Sequence, residues 1–397
     1  MKNLKLGVKL IGGFSLVAAI TLAVGLVGLN GVKSVDEHLV QISGEDLPAV
    51  KNLLQIEAKL NELVIAQRTL LSPDLTLEER QQQYQIVDEA RDAYQKAYAA
   101  YEAIDHSPED MAEWQQVVEK IKEWAAENNE FFALSKQLDK NGILNPVGLL
   151  QDFQLFRGDH YQLLNAVGDY LLIGEEFAGG DDHTQCNFGQ WLLSEESGLE
   201  NPTIRKTLAA IKPVHQQLHE SVGEIKQLMA AGSRARAINL YETVAMPAVD
   251  ETFAQFEGMI QEAQNGVELY HKMGVQALDH AFAKQEEAYA LLDEVIAKTV
   301  ANAAQAEVEA DAAIEATVTE VISGIIVGVI LAMGLGVLLT RMITRPVNQG
   351  VALAQEIAKG DFSMRLNMDR GDEIGVLAKS LDGMADNLSR NAGMAEQ

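Results

Sequence analysis

The chain has 397 residues, with 31 Lys+Arg against 58 Asp+Glu and a formal net charge of −27. That length implies more than one domain. So acidic a chain excludes nucleic acid as a partner, because phosphate contacts require a basic face. Ala, Leu, Glu and Gln dominate, prolines number 8, and no strand-like alternation persists. The expected fold class is therefore all-α, built from long helices. Charge is unevenly spread: residues 1–30 carry Lys2, Lys5 and Lys9 and no acid, and 31–320 carry 21 Lys+Arg against 50 Asp+Glu, while 321–397 carry 7 against 8.

Behind the basic start (1–9), Leu10–Leu29 is an uncharged apolar run, and Val321–Thr340 is a second one. Each is about twenty residues, long enough to cross a bilayer as a helix. Lysines precede the first run, and Arg341 and Arg345 follow the second. The positive-inside rule therefore predicts both termini in the cytoplasm and residues 30–320 outside. A cleaved signal peptide is the alternative for the first run, but its apolar core is longer than such peptides use. In the second run, Gly324 and Gly328 would permit close helix approach.

Between the spans, periodicity predicts a helix from Val32 to about Leu71, with Leu53, Leu54, Ile56, Leu60, Leu63, Val64 and Ile65 on its buried side. Ser72-Pro73-Asp74 ends it. A second helix, about 77–104, opens with Thr76 and Glu79 in capping-box spacing. Ser107 caps a third, running to about Lys140 with Trp114, Val118, Ile121, Trp124 and Phe131 at helical intervals. Helices joined by such short turns form an antiparallel bundle, here residues 30–146. Tyr84, Tyr94, Tyr98 and Tyr101 read as packing within it, and His271 and His280 as surface residues. Arg68 interrupts the apolar run Leu63–Leu71. Either it holds a carboxylate ligand, or it pairs with one of the many acids or reaches to water.

Residues 147–232 hold the chain's only cysteine, Cys186, in Asp182-His183-Thr184-Gln185-Cys186-Asn187-Phe188-Gly189-Gln190-Trp191-Leu192. His160 heads an amphipathic run upstream, and downstream His215 and His219 stand four apart, on one face of a helix. A thiolate with imidazoles suits tetrahedral Zn2+. One zinc held by His160, Cys186, His215 and His219 is the expected site, with His183 as a rival ligand. Spacing alone carries less weight, since a His-x3-His pair on a polar helix more often meets solvent. One cysteine cannot form an intrachain disulfide in an oxidising compartment, whereas a metal thiolate would be sheltered there. Gly189 is expected to allow a tight turn after the thiolate, and Trp191 to pack beneath it.

Ala231-Gly232-Ser233 then leads into a last helical stretch (233–320) that runs into the second span (321–340) and is potentially interrupted at Asn265-Gly266 and at Lys272-Met273-Gly274. It is too long to pair straight with the first helix, so its N-terminal part is expected to pack with the 147–232 segment. Residues 341–393 read as helix, connector, helix, with Pro346, Gly360-Asp361-Phe362-Ser363 and Asp372-Glu373-Ile374-Gly375, ahead of a short tail at 394–397.

The order His160, Cys186-x2-Gly189-x-Trp191-Leu192, His215-x3-His219 resembles the chemoreceptor zinc-binding domain, a helical bundle with a three-His, one-Cys zinc site. The outer bundle resembles the four-helix sensor of methyl-accepting chemotaxis receptors, in some of which arginines hold ligands at a distal dimer seam. Residues 341–393 closely resemble a HAMP domain, in which Pro346 and Glu373 match positions coupling the span to a parallel coiled coil made by two subunits. The resemblance implies the input half of a bacterial inner-membrane chemoreceptor, a homodimer, with residues 30–320 periplasmic and sensing a small molecule or a metal. It implies no enzyme activity. The sequence stops directly after the HAMP-like segment, so contact with a chemotaxis kinase and adaptor is expected only through an output domain beyond it. The input half of a membrane histidine kinase or cyclase would share these features. A zinc hydrolase is the remaining alternative, disfavoured because four protein ligands leave no position for water and no Glu lies inside the His-x3-His pair.

Overall fold

The structure is a computed structural model in which residues 4–194 and 198–395 are described. Among them there is no strand. The helices are α1 (Leu6–Gln41), α2 (Leu47–Thr69), α3 (Leu77–Glu102), α4 (Pro108–Asn141), α5 (Pro146–Ile173), α6 (Asn187–Ser194), α7 (Pro202–Ala230), α8 (Arg234–Leu240), α9 (Met246–Val275), α10 (Ala281–Ala358) and α11 (Glu373–Ala395). A π turn at Ile42–Asp46 joins α1 to α2, and π turns at Tyr241–Ala245 and Gln276–His280 join α8 to α9 and α9 to α10. Two compact units emerge: Pro48–Val300, and Met1–Leu47 together with Ala301–Gln397.

The first unit contains two bundles. In one, α2, α3, α4 and the neighbourhood of the α9–α10 junction enclose Leu53, Ile56, Leu60, Tyr94, Tyr101, Trp114, Trp124, Phe131, Met273 and Leu292. Arg80 at the start of α3 pairs with Asp139 at the end of α4, and Lys298 of α10 with Asp110 and Glu113 at the start of α4. These pairs fix α4 antiparallel to both neighbours. The Thr76–Glu79 capping box is formed in both directions, and Ser107 accepts from the Asp110 N–H. Leu54 and Ile65 depart from expectation, being 46% and 64% exposed. The stripe repeats every 3.6 residues through 53, 56, 60, 63 and 67, and those two positions fall off it.

In the second bundle, α9 packs against both α5 and α7. The expected N-terminal part of the last helical stretch thus shares a core with the 147–232 segment. Its apolar interior is split into two clusters, one around Phe153, Phe188, Ile211 and Phe256, the other around Val167, Leu171, Val222 and Val249. The suggested break at Asn265-Gly266 does not occur, because the helix runs straight through. A Cβ on Gly266 would lie 2.9 Å from Cβ of Pro146, so this glycine serves the close approach of α9 to the start of α5. Lys272, Met273 and Gly274 are helical as well, and the π turn begins two residues beyond them.

In the other unit, α1 and α10 carry windows apolar and long enough to cross a membrane, with 6% and 0% of those windows buried. They meet where small residues allow it: a Cβ on Gly324 would lie 2.8 Å from Val24, and one on Gly328 3.2 Å from Ile20. α10 continues unbroken through Pro346 to Ala358. Leu353 and Ile357 then pack against Ala385 of α11, with Phe362 and Leu366 of the connector alongside.

Candidate metal centre

The gap between the two clusters of the second bundle is filled by polar side chains. α5 presents His160 and α7 presents His215 and His219, all three at most 2% exposed. Cys186 stands just before α6 and is half-buried. The four donor atoms lie within 4.8 Å of one another. His215 Nε2 is 3.0 Å from His160 Nε2, 3.0 Å from His219 Nε2 and 3.3 Å from Cys186 Sγ, and the His160 and His219 Nε2 atoms are 3.3 Å apart. Around a tetrahedral zinc with Zn–N about 2.0 Å and Zn–S about 2.3 Å, donors would be roughly 3.3–3.6 Å apart. The fit is close.

Proton positions sharpen this. His160 Nδ1 donates to the Phe156 carbonyl at 2.7 Å, and His219 Nδ1 to the Gly180 carbonyl at 2.8 Å. In neutral rings the Nε2 atoms of both then keep bare lone pairs, and these face each other. His215 Nε2 could donate to only one of them. At least one of these buried nitrogens is then left facing another lone pair with no proton between them, a strain that a cation at the centre would relieve. The carbonyl partners also supply the outer support that ligating imidazoles normally have. His215 lacks one, as its Nδ1 is buried with no hydrogen-bond partner among the described residues.

Burial lowers the pKa of all three imidazoles, to about 4 for His219 and about 2 for His215, where the neighbouring rings add to the effect. They are neutral at pH 7, as metal ligands must be. Burial pushes the Cys186 thiol up, against the lowering hydrogen bonds from the Gly189 and Phe188 amides. The thiol therefore stays protonated until a cation displaces the proton.

Local sequence explains the placement. Gly189 donates its N–H to Cys186 Sγ at 3.2 Å, and a Cβ there would fall 1.9 Å from the His183 carbonyl oxygen, so only glycine closes this turn. Trp191 packs against Phe153, Phe156 and Phe188, and Phe188 meets the His215 ring edge-on at 5.0 Å. His183 stays outside the cluster, its ring centroid 6.2 Å from that of His215.

Other expected site residues lie elsewhere. Arg68 is exposed, 6.0 Å from the Phe282 ring, and pairs with no acid among the described residues. Pro346 is inside α10, and Glu373 opens α11 and accepts from the Leu6 N–H at 2.7 Å. Sequence reasoning missed Arg80. It is 1% exposed, ion-paired to Asp139, and donates to the Leu70 carbonyl at 2.8 Å and Ser135 Oγ at 2.7 Å. Tyr84 donates to the same carboxylate at 2.6 Å, and burial, then that bond, pushes its pKa up to about 12. No sequence signal marks Arg80, which follows the capping-box glutamate where a helix usually meets solvent. The silent Lys226 was missed too. It donates to the Gly179 carbonyl, lies 4.3 Å from the Phe177 ring centroid and 3.6 Å from Asp181, and so grips the loop that brings Gly180 to His219.

Known families match three parts of the chain. Residues 3–145 match the four helix bundle sensory module for signal transduction, 160–226 the chemoreceptor zinc-binding domain, and 338–390 the HAMP domain. Neither the curated proteins nor the solved structures contain a match to the chain. The three domains together indicate a chemoreceptor-like signal transducer.

Proposed function

We propose that the protein is a bacterial inner-membrane receptor of the methyl-accepting chemotaxis type, homodimeric, whose outer part binds zinc through His160, Cys186, His215 and His219. The second span and HAMP then pass on a change in that part. The observation that carries this reading is the lone-pair cluster, placed between helices of a bundle whose α9 continues through α10 into the HAMP region. Zinc supplies the positive charge that lets the thiolate form and the three Nε2 atoms converge. The protein's own part is to deliver neutral imidazoles, orient two of them through carbonyls, and close the Gly189 turn over the sulfur. Four protein donors leave no open coordination position, which favours a structural or sensory role over hydrolysis.

Topology follows from charge. Lys2, Lys5 and Lys9 flank one span and Arg341 and Arg345 the other, which puts Pro48–Val300 outside. The contact of Lys9 with Asp372 supports a common side for the start of α1 and the HAMP region. Zinc-binding domains of this family are typically cytoplasmic. Here the domain lies between two apolar helices and must share a compartment with the sensor bundle. Signalling requires that ligand or zinc bind two packings with different affinity, since equal affinity shifts nothing.

The test is hydrogen exchange on the full chain in lipid nanodiscs, with zinc and after chelation. Zinc should change protection both in α5 and α7 and in α11. A response confined to α5 and α7 would overturn the relay while leaving the metal site intact.

A further inference from the structure

We infer that the start of α1 is fastened to the start of α11, so that the HAMP region receives the position of both spans and not of α10 alone. The fastening consists of two consecutive carboxylates that serve two helices. Asp372 Oδ1 accepts from the Gly375 N–H at 3.1 Å and so caps α11, while its other oxygen takes the Lys9 ammonium from α1. Glu373 turns the opposite way and accepts the Leu6 N–H at the head of α1. A carboxylate at each helix start also meets the positive end of that helix's dipole.

Burial makes this more than a surface contact. Lys9 is 5% exposed and Asp372 is 2% exposed. Arg370 completes the site, donating to both oxygens of Asp372 at 3.1 and 2.7 Å. Arg370 first, with help from Lys9 and the Gly375 amide, holds the Asp372 carboxyl well below the usual range, so it stays ionised. A buried pair of this kind is costly to break, because separation strands a desolvated charge. An axial shift of α1 must therefore drag the head of α11 or rupture the pair.

The geometry of α10 gives that drag its meaning. α10 enters the HAMP region covalently, through Pro346 into the helix bearing Leu353 and Ile357, which pack on Ala385 of α11. One HAMP helix thus follows α10 and the other is tied to α1. Movement of the two spans together leaves their packing unchanged, and movement of one against the other shifts it. The inference rests on the relay reading above, and is independent of zinc.

The experiment is backbone hydrogen exchange on the full chain in nanodiscs, comparing wild type with Lys9→Gln, Lys9→Arg and Asp372→Asn. Asparagine still caps a helix, so the last variant removes the charge and spares the cap. Lys9→Gln should speed exchange at the head of α11, Gly375 to Leu377, by about tenfold, and Asp372→Asn should do the same at the first turn of α1. Lys9→Arg should stay near wild type, and peptides from Pro48–Val300 should not move in any variant, which separates the effect from misfolding. If Lys9→Gln alters only α1 and α11 keeps its protection, α1 is not an input and the inference fails. The relay through α10 would survive that result.

Discussion

The bundle of α2–α4 and the bundle of α5, α7 and α9 use helices of similar length but fill their interiors in opposite ways. The first has one continuous cluster, from Ala49 and Leu53 to Leu292 and Val295, with Trp114 and Trp124 both at most 1% exposed. Its one buried charge, Arg80, is answered by Asp139, Ser135 and the Leu70 carbonyl. In the second, three imidazoles and a thiol divide the apolar clusters. The α2–α4 bundle closes around a continuous apolar interior whose buried charge is answered by the protein's own groups. The other has imidazole nitrogens facing each other at its centre, which on the proposed reading a cation completes. Stability of one should be indifferent to metal, and stability of the other should follow it.

The largest effect that could break this contrast comes from replacing His215 and His219 together by alanine. Stoichiometric zinc should be lost by elemental analysis, and with it a binding term that reaches about 10–16 kcal/mol in structural zinc sites. Exchange protection of α2–α4 should be unaffected. The mirror experiment is Arg80→Met, which strands Asp139 and should cost the first bundle roughly 3–5 kcal/mol in denaturant titration. Zinc content should stay at one equivalent. Gly189→Ala comes next: its Cβ would have to displace the His183 carbonyl, so the Cys186 turn should open at a cost of about 1–3 kcal/mol and weaken zinc binding measured by chelator competition.

Acid should separate the bundles as well. The folded imidazoles titrate below the ordinary value of 6.5, at about 4 for His219 and about 2 for His215. Between pH 6.5 and 4 the unfolded chain binds more protons than the folded one, so stability falls as pH falls through this window. In the zinc-free protein that loss should appear in α5 and α7 before α2–α4, and be absent above pH 7. The smallest effect is assigned to Lys226→Met, which frees the loop carrying Gly180 and should weaken zinc about tenfold without abolishing it.

How much of this could be read from sequence follows the same division. Helix starts were legible because caps are local: Thr76 with Glu79, and Ser107 before Pro108, declare themselves over four residues. The four converging donors were legible because Cys186 is unique, His215 and His219 are one turn apart, and their order after His160 resembles the chemoreceptor zinc-binding domain. Arg80 and Lys226 were not, because their partners Asp139 and Gly179 lie 59 and 47 positions away and only the packed chain brings them near. Gly266 was misread for a related reason. A glycine that ends a helix and a glycine that admits a neighbouring one look identical until Pro146 is seen against it.

The claim on which the contrast turns is that a cation is held by three nitrogens and one sulfur. X-ray absorption at the zinc edge of the full chain measures this directly. We expect three N neighbours at about 2.0 Å and one S at about 2.3 Å, with the sulfur shell lost in Cys186→Ala. A spectrum from the wild type with no sulfur shell, or with oxygen in its place, would contradict the account.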